Sequence, residues 1–276
     1  MNISIPSRSR AHRICTLLAQ FPPEVMPDIR VFVPESQRDQ YEQNMRGFDA
    51  EIRTLPDILR MAGVRDFMGW AAIADGDAIF LMVDDDVRFE CRVSHEVTNT
   101  RYCTIDDVRE MLAMIERCLR DGRWGQVGIQ GRMFQNASFD AGPPDKLMKE
   151  CQRNMCVTGW RLDDFVKIDY TRCAVRSDYD ATLQLLRLGR PNLNLGYWQH
   201  SQVNNTPGGC ADYRTTELAN EEALRLQSLH PKFITLQEKE YPAQKRRSNW
   251  NMGKRLEPMI RWRAAYEEGL RNRGAS

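Results

Sequence analysis

Apolar and polar positions along the first ninety residues switch between two periods, and the switching predicts the elements. Ile3–Pro6 has the profile of a short strand, and the segment 13–21, "RICTLLAQF", has helical spacing closed by Pro22 and Pro23. "IRVFVP" (29–34) is a second strand between prolines, 36–47 a polar helix ended by Gly47, and 50–56 a half-buried third strand. A helix follows over 63–76, then an apolar strand running into three aspartates, "AIFLMVDDD" (78–86). Further along, 104–122 is amphipathic, with Val108, Leu112, Ile115 and Leu119 on one stripe and Gly122 ending it. Strands are also expected at 126–132 and 167–175, and a helix at 179–189 closed by Gly189 and Pro191.

Short strands alternating with helices imply βαβ units and a mostly parallel central sheet flanked by helices, a Rossmann-like α/β fold. No internal repeat or low-complexity linker interrupts the chain. Residues 1–230 are therefore expected to form one core, with 231–276 a helical, basic extension packed on it.

Composition narrows the class. The longest apolar runs fall well short of the roughly 18 residues a membrane span needs, and the start, "MNISIPSRSRAHR", has no apolar signal-peptide core. A cytoplasmic protein is the expectation, without a membrane partner. The eight cysteines form no CxxC pair and no zinc spacing, so they are expected as small core residues or inert thiols. The net charge of +1 conceals an asymmetry: from Tyr241 onward nine Lys/Arg face three Glu, +6, which leaves −5 for the rest. A basic tail suggests an anionic partner, or a solvated face.

The candidate chemistry starts at Asp84, Asp85 and Asp86. Ligands of open α/β sheets sit beyond the carboxyl ends of strands, and clustered carboxylates suit hard cations such as Mg²⁺ or Mn²⁺. In an extended chain, alternation points Asp84 and Asp86 one way and Asp85 the other; a polar strand end in a turn is the competing reading. A second group lies in "VRSDYDATLQLLRLG", where Ser177 or Asp178 could cap the helix that follows. A third is "YWQHSQVNNTPGGCADYRT", where His200 borders a glycine loop, Asn204–Gly209, expected to cover a ligand.

The combination of a glycine-led helix with Gly63 and Arg65, the "ADGD" turn, the apolar strand and the DxD resembles the GT-A glycosyltransferases. The resemblance implies a metal-dependent transferase using a nucleotide-diphosphate sugar, taken as a UDP-sugar. Pro6, Ser7, Arg8, Arg10, Arg65, Asp84 and Asp85 would then bind the donor; Asp86, Asp84 and His200 would hold Mn²⁺ or Mg²⁺; and Asp178 would be catalytic. Asp66 stands where that family usually has asparagine, and Ser177 where it has glutamate. The pattern "IPSR-x-R … DDD … NN-x-x-GG" also resembles phage-type glycosyltransferases associated with TET-like hydroxylases, which implies hydroxymethylated pyrimidine DNA as acceptor. Asp180, Arg214, Lys245, Arg246, Arg247, Trp250 and Lys254 would contact it, with Trp250 or Trp262 stacking on a base. A glycan, lipid or protein acceptor, a nucleotidyltransferase, and a non-catalytic binding module remain open alternatives.

Overall fold

The computed structural model describes residues 1–94, 99–132, 147–202, 213–241 and 253–274. The first half of the chain alternates β1 (Asn2–Pro6), α1 (Ala11–Leu18), β2 (Ile29–Pro34), α2 (Arg38–Asn44), β3 (Glu51–Leu55), α3 (Met61–Ala74) and β4 (Ile79–Val83). A ribbon of β5 (Val87–Arg92) and β6 (Thr100–Tyr102) follows, then α4 (Ile105–Arg120), β7 (Gln126–Gly131), β8 (Met148–Glu150) and β9 (Val157–Arg161). The remainder is α5 (Leu162–Phe165), α6 (Ser177–Arg187), β10 (Asn192–Gln202), α7 (Thr216–Leu229), the hairpin β11 (Ile234–Tyr241) and β12 (Gly253–Ile260), and α8 (Trp262–Gly274).

Ten strands form one sheet in the order β3-β2-β1-β4-β9-β7-β10-β5-β6, with β8 paired to β10. Strands β9, β5 and β8 oppose the other seven, so the sheet is mixed and mostly parallel in direction. In β4, Ile79, Leu81 and Val83 enter one apolar cluster with α1, α2 and α4, while Phe80 and Met82 enter another with α3, α5 and α6. That alternation buries both faces and explains why the strand reads as a continuous apolar run. Close packing is tight enough to demand glycine: a Cβ on Gly69 of α3 would lie 1.9 Å from the Phe165 ring.

Two expectations are corrected. Residues 167–175 form no strand; Asp169 accepts from the Thr171 backbone N–H at 2.8 Å and from its hydroxyl at 2.6 Å, and this local bonding turns the chain into a 3-10 turn at Tyr170–Arg172. The extension is not wholly helical either, because β11 and β12 pair over their full length before α8 begins. Helix α8 lies against α6: a Cβ on Gly269 would meet the Leu186 carbonyl oxygen at 2.4 Å. A third apolar cluster joins Leu183 and Leu186 of α6 to Leu226, Phe233, Ile234 and Ala265.

Candidate functional site

The parallel run β2-β1-β4 puts the carboxyl ends of these strands on one edge, and the functional candidates collect there. Strand β4 ends at Val83, so the aspartates form the turn into β5, with the Val87 N–H donating to the Asp84 carbonyl at 3.3 Å. Strand alternation therefore does not govern them, which corrects the expected two-to-one split. Each aspartate has its own surroundings instead.

Asp85 is the most enclosed, 7% exposed, and accepts from Arg10 Nη1 at 2.6 Å and from Ser7 Oγ at 2.6 Å. Tyr41 closes the set, its hydroxyl 2.7 Å from Ser7 Oγ. Burial pushes the Asp85 carboxyl up to about 6 despite Arg10. Asp86 shares Arg10 at 3.1 Å and accepts from Gln202 Nε2 at 3.0 Å; burial and the neighbouring Asp84 charge raise its pKa. Asp84 faces the other way, toward Arg65 Nη2 at 3.2 Å, and its backbone N–H donates to the Cys156 carbonyl at 2.7 Å. Ser7 and Arg10 are thus fastened to Asp85, Pro6 is the buried end of β1, and Arg8 is exposed beside the Leu59 carbonyl.

Arg65 continues to Ser177 Oγ at 3.5 Å, at the start of α6. There Asp178 is gripped by Arg153, Nη2 at 2.6 Å and Nε at 2.8 Å to the same oxygen. Burial would raise the Asp178 pKa, but Arg153 and Arg65 hold it below the usual carboxylate range, with Arg214 adding to them. Arg153 also lies 3.8 Å from the centroid of the Tyr179 ring, and Tyr179 stacks on Trp262 of the extension. Trp262, expected on a nucleic-acid base, has this intramolecular partner instead. Arg65, Asp84, Asp178, Asn154, Cys156 and Tyr170 line one narrow pocket, together with the apolar Met82 and Met155.

Three backbone positions at this edge carry non-glycine residues in the left-handed region, Ser9 (φ 59°) in the turn after β1, Cys156 (φ 62°) and Arg176 (φ 72°). Such conformations cost of order 1–3 kcal/mol and persist where surrounding structure enforces them, often at sites. Cys156 presents its carbonyl to Asp84, and Arg176 starts α6 just before Asp178.

His200 lies on β10 beyond a register shift between Leu195 and Gln199 and is 3% exposed. Neither ring nitrogen has a hydrogen-bond partner among the described residues, and burial lowers its pKa to about 4. A neutral, orphaned imidazole beside carboxylates has the donor chemistry of a Mn²⁺ site. The placement does not match that chemistry: among the described residues, three potential ligand atoms come within 4.8 Å of one another at Cys91, Cys103 and Asp107, not at Asp84, Asp86 and His200. In this structure Arg65 pairs with Asp84, and Arg10 with Asp85 and Asp86.

Two acceptor candidates are placed elsewhere. Asp180 is 0% exposed, bonded to His230 Nε2 at 2.7 Å and Arg172 at 3.2 Å, so it is a core ion pair that no acceptor reaches. Lys254 on β12 is exposed and pairs with Glu238. Lys245, Arg246, Arg247, Trp250 and the loop Asn204–Gly209 lie outside the described residues. Sequence reasoning missed Arg153, Cys156 and Tyr170; none sits in a motif, and only the β4–β9 pairing and the packing of α6 bring them to Asp84 and Asp178.

No family model and no curated protein matches the chain. Solved structures resemble its chain path at low identity. A mycobacterial protein is 9% identical over 92% of this chain and 85% of its own, with a TM-score of 0.48. Mannose-1-phosphate geranyltransferase from Thermus thermophilus is 12% identical over 71% of this chain and 75% of its own, at 0.43. A UDP-glucose pyrophosphorylase solved with UDP-glucose is 6% identical over 73% of this chain and 91% of its own, at 0.40.

Proposed function

We propose that this chain is a transferase that moves a sugar from a nucleotide-diphosphate sugar to a hydroxyl acceptor. The observation that carries the reading is a pair of arginines beyond the carboxyl end of β4: Arg65 lines the pocket and pairs with Asp84, and Arg153 grips Asp178, which also lines it, at the start of α6. A diphosphate entering there would take over both guanidiniums in charge-assisted, bidentate hydrogen bonds, with further support from the α6 amino-terminal N–H groups. As the sugar leaves, negative charge grows on the diphosphate, and pre-placed guanidiniums stabilise it most at that moment.

Asp178 is ionised at neutral pH because Arg153 and Arg65 hold its pKa down. Drawing Arg153 onto the diphosphate would restore the basicity of Asp178, which could then accept the proton of an acceptor hydroxyl. Ser7, Arg10 and Asp85 set the shape of the β1 end of the site and the orientation of Asp86.

For the acceptor, we propose hydroxymethylated pyrimidine in DNA, a narrower reading supported by the basic, tryptophan-containing run 245–254 alone. A nucleotidyltransferase is the second reading, since a cradle of two arginines at a helix start suits a triphosphate equally. Mass spectrometry of digested hydroxymethylated DNA, after incubation with a panel of nucleotide sugars with and without Mn²⁺, tests the proposal. A hexose or pentose mass added to one base supports it. No addition to DNA, with formation of a nucleotide sugar from sugar phosphate and nucleoside triphosphate, establishes the second reading instead.

A further inference from the structure

Away from the acidic edge, the β5–β6 ribbon and the start of α4 bring together groups that the transfer chemistry does not use. Cys91 is fully buried on β5, Cys103 follows β6 half-buried, and Asp107 lies in the first turn of α4. The two sulfurs and a carboxylate oxygen of Asp107 lie within 4.8 Å of one another. We propose that Cys91, Cys103 and Asp107 form a binding site for a thiophilic divalent cation of the zinc class, completed by a fourth ligand from solvent.

The pairing in the ribbon favours a bridging ion over a disulfide. Cys91 is opposite Arg101, and the Cys103 backbone N–H donates to the Phe89 carbonyl at 3.0 Å, so the cysteines are diagonal neighbours on one face. Diagonal pairs stand ~7–8 Å apart at the backbone, beyond what a disulfide spans without movement. Two thiolates on a tetrahedral ion, each at ~2.3 Å, reach across that gap. Both cysteines are free thiols, and the hydrogen bond between them holds Cys91 below and Cys103 above the usual thiol value.

The carboxylate is also held as a ligand would be. Asp107 accepts from the Thr104 N–H at 2.6 Å, from its hydroxyl at 2.7 Å, and from both terminal nitrogens of Arg101. Supporting bonds of this kind orient ligating carboxylates in metal sites, and Arg101 keeps Asp107 ionised, with its pKa lowered to about 2. Charge balances as well. Binding releases the two thiol protons to solvent, and two thiolates, one carboxylate, Arg101 and the cation then sum to zero. Cys103, being half-buried, provides the way in from solvent.

The test uses the full reduced chain, stripped with a chelator and titrated with Cd²⁺ under anaerobic conditions. The expected result is one equivalent bound, with the near-ultraviolet thiolate-to-metal charge-transfer absorption of two sulfurs. Because thiolates favour the softer Cd²⁺, Zn²⁺ in large excess should compete for the site and weaken the band. Cys103→Ser should weaken binding at least tenfold and halve the band, Asp107→Asn should weaken binding while keeping the band, and Cys118→Ser should change neither. Circular dichroism of each apo variant separates loss of a ligand from loss of the fold. Absence of a thiolate band in the folded wild type, or the same band in folded Cys103→Ser, overturns the proposal.

Discussion

Replacing Arg10 with methionine keeps most of the side-chain volume and removes the cation that Asp85 faces at 2.6 Å. Both partners are nearly enclosed, with side chains 9% and 7% exposed, so water cannot take over the lost interaction. Removing one partner of a buried pair typically costs ~3–5 kcal/mol, a large share of a domain stability of ~5–15 kcal/mol, and the midpoint should fall on the order of 10 °C. The pH dependence fixes the cause. The Asp85 carboxyl already sits at about 6 in the folded chain, against 3.8 unperturbed, and losing Arg10 raises it further. A carboxyl raised on folding is protonated more readily in the folded state, so its destabilisation is present above the folded pKa and fades as pH falls toward the unfolded value. Urea unfolding of Arg10→Met and wild type at pH 7.5 and pH 5 should show a gap of several kcal/mol at the higher pH and a smaller one at the lower. The double variant Arg10→Met/Asp85→Leu should recover most of the loss. A gap under ~1 kcal/mol at pH 7.5, or one that ignores pH, would refute the buried-pair reasoning.

Three further outcomes follow from other parts of the molecule. His200, lowered from 6.5 to about 4 by burial, should show no imidazole titration by NMR between pH 6.5 and 8; because the unfolded state binds the proton more readily, stability should be lost as pH falls from 6.5 toward 4, and His200→Gln should remove that loss. Gly269→Ala forces a methyl group into the Leu186 carbonyl and the Gly189 backbone, so denaturant melts should show ~1–3 kcal/mol lost as α8 is pushed off α6. On the proposed function, Asp178→Asn should lower sugar transfer about 10²–10⁴-fold while nucleotide-sugar binding persists, read by product mass and equilibrium binding.

The amino-terminal half was legible because its strands and helices carry their periodicity locally. The segment 29–34 matches β2, and Val108, Leu112, Ile115 and Leu119 are the buried stripe of α4. Legibility failed where side chains overrode pattern. Asp169 diverted 167–175 from a strand, and the three aspartates made a turn that alternation could not foresee. Asp84, singled out by its charge cluster, and Arg65 and Asp178, singled out by the GT-A resemblance, do lie together at the carboxyl edge. Arg153 was not singled out, because its role depends on a salt bridge to α6 and on the ring of Tyr179. Asp180 shows the opposite failure: an acidic residue one helical turn into α6 looked available from the sequence and is sealed against His230.

Calorimetric titration of nucleotide sugars into wild type, Arg65→Met and Arg153→Met reads whether these two arginines hold the diphosphate as proposed. Charged hydrogen bonds of this kind are each worth ~1.5–3 kcal/mol, so wild type should bind one equivalent and each folded variant should bind about 10–100-fold more weakly. Undiminished affinity in both variants, or no binding of any nucleotide sugar by wild type, would contradict the proposal.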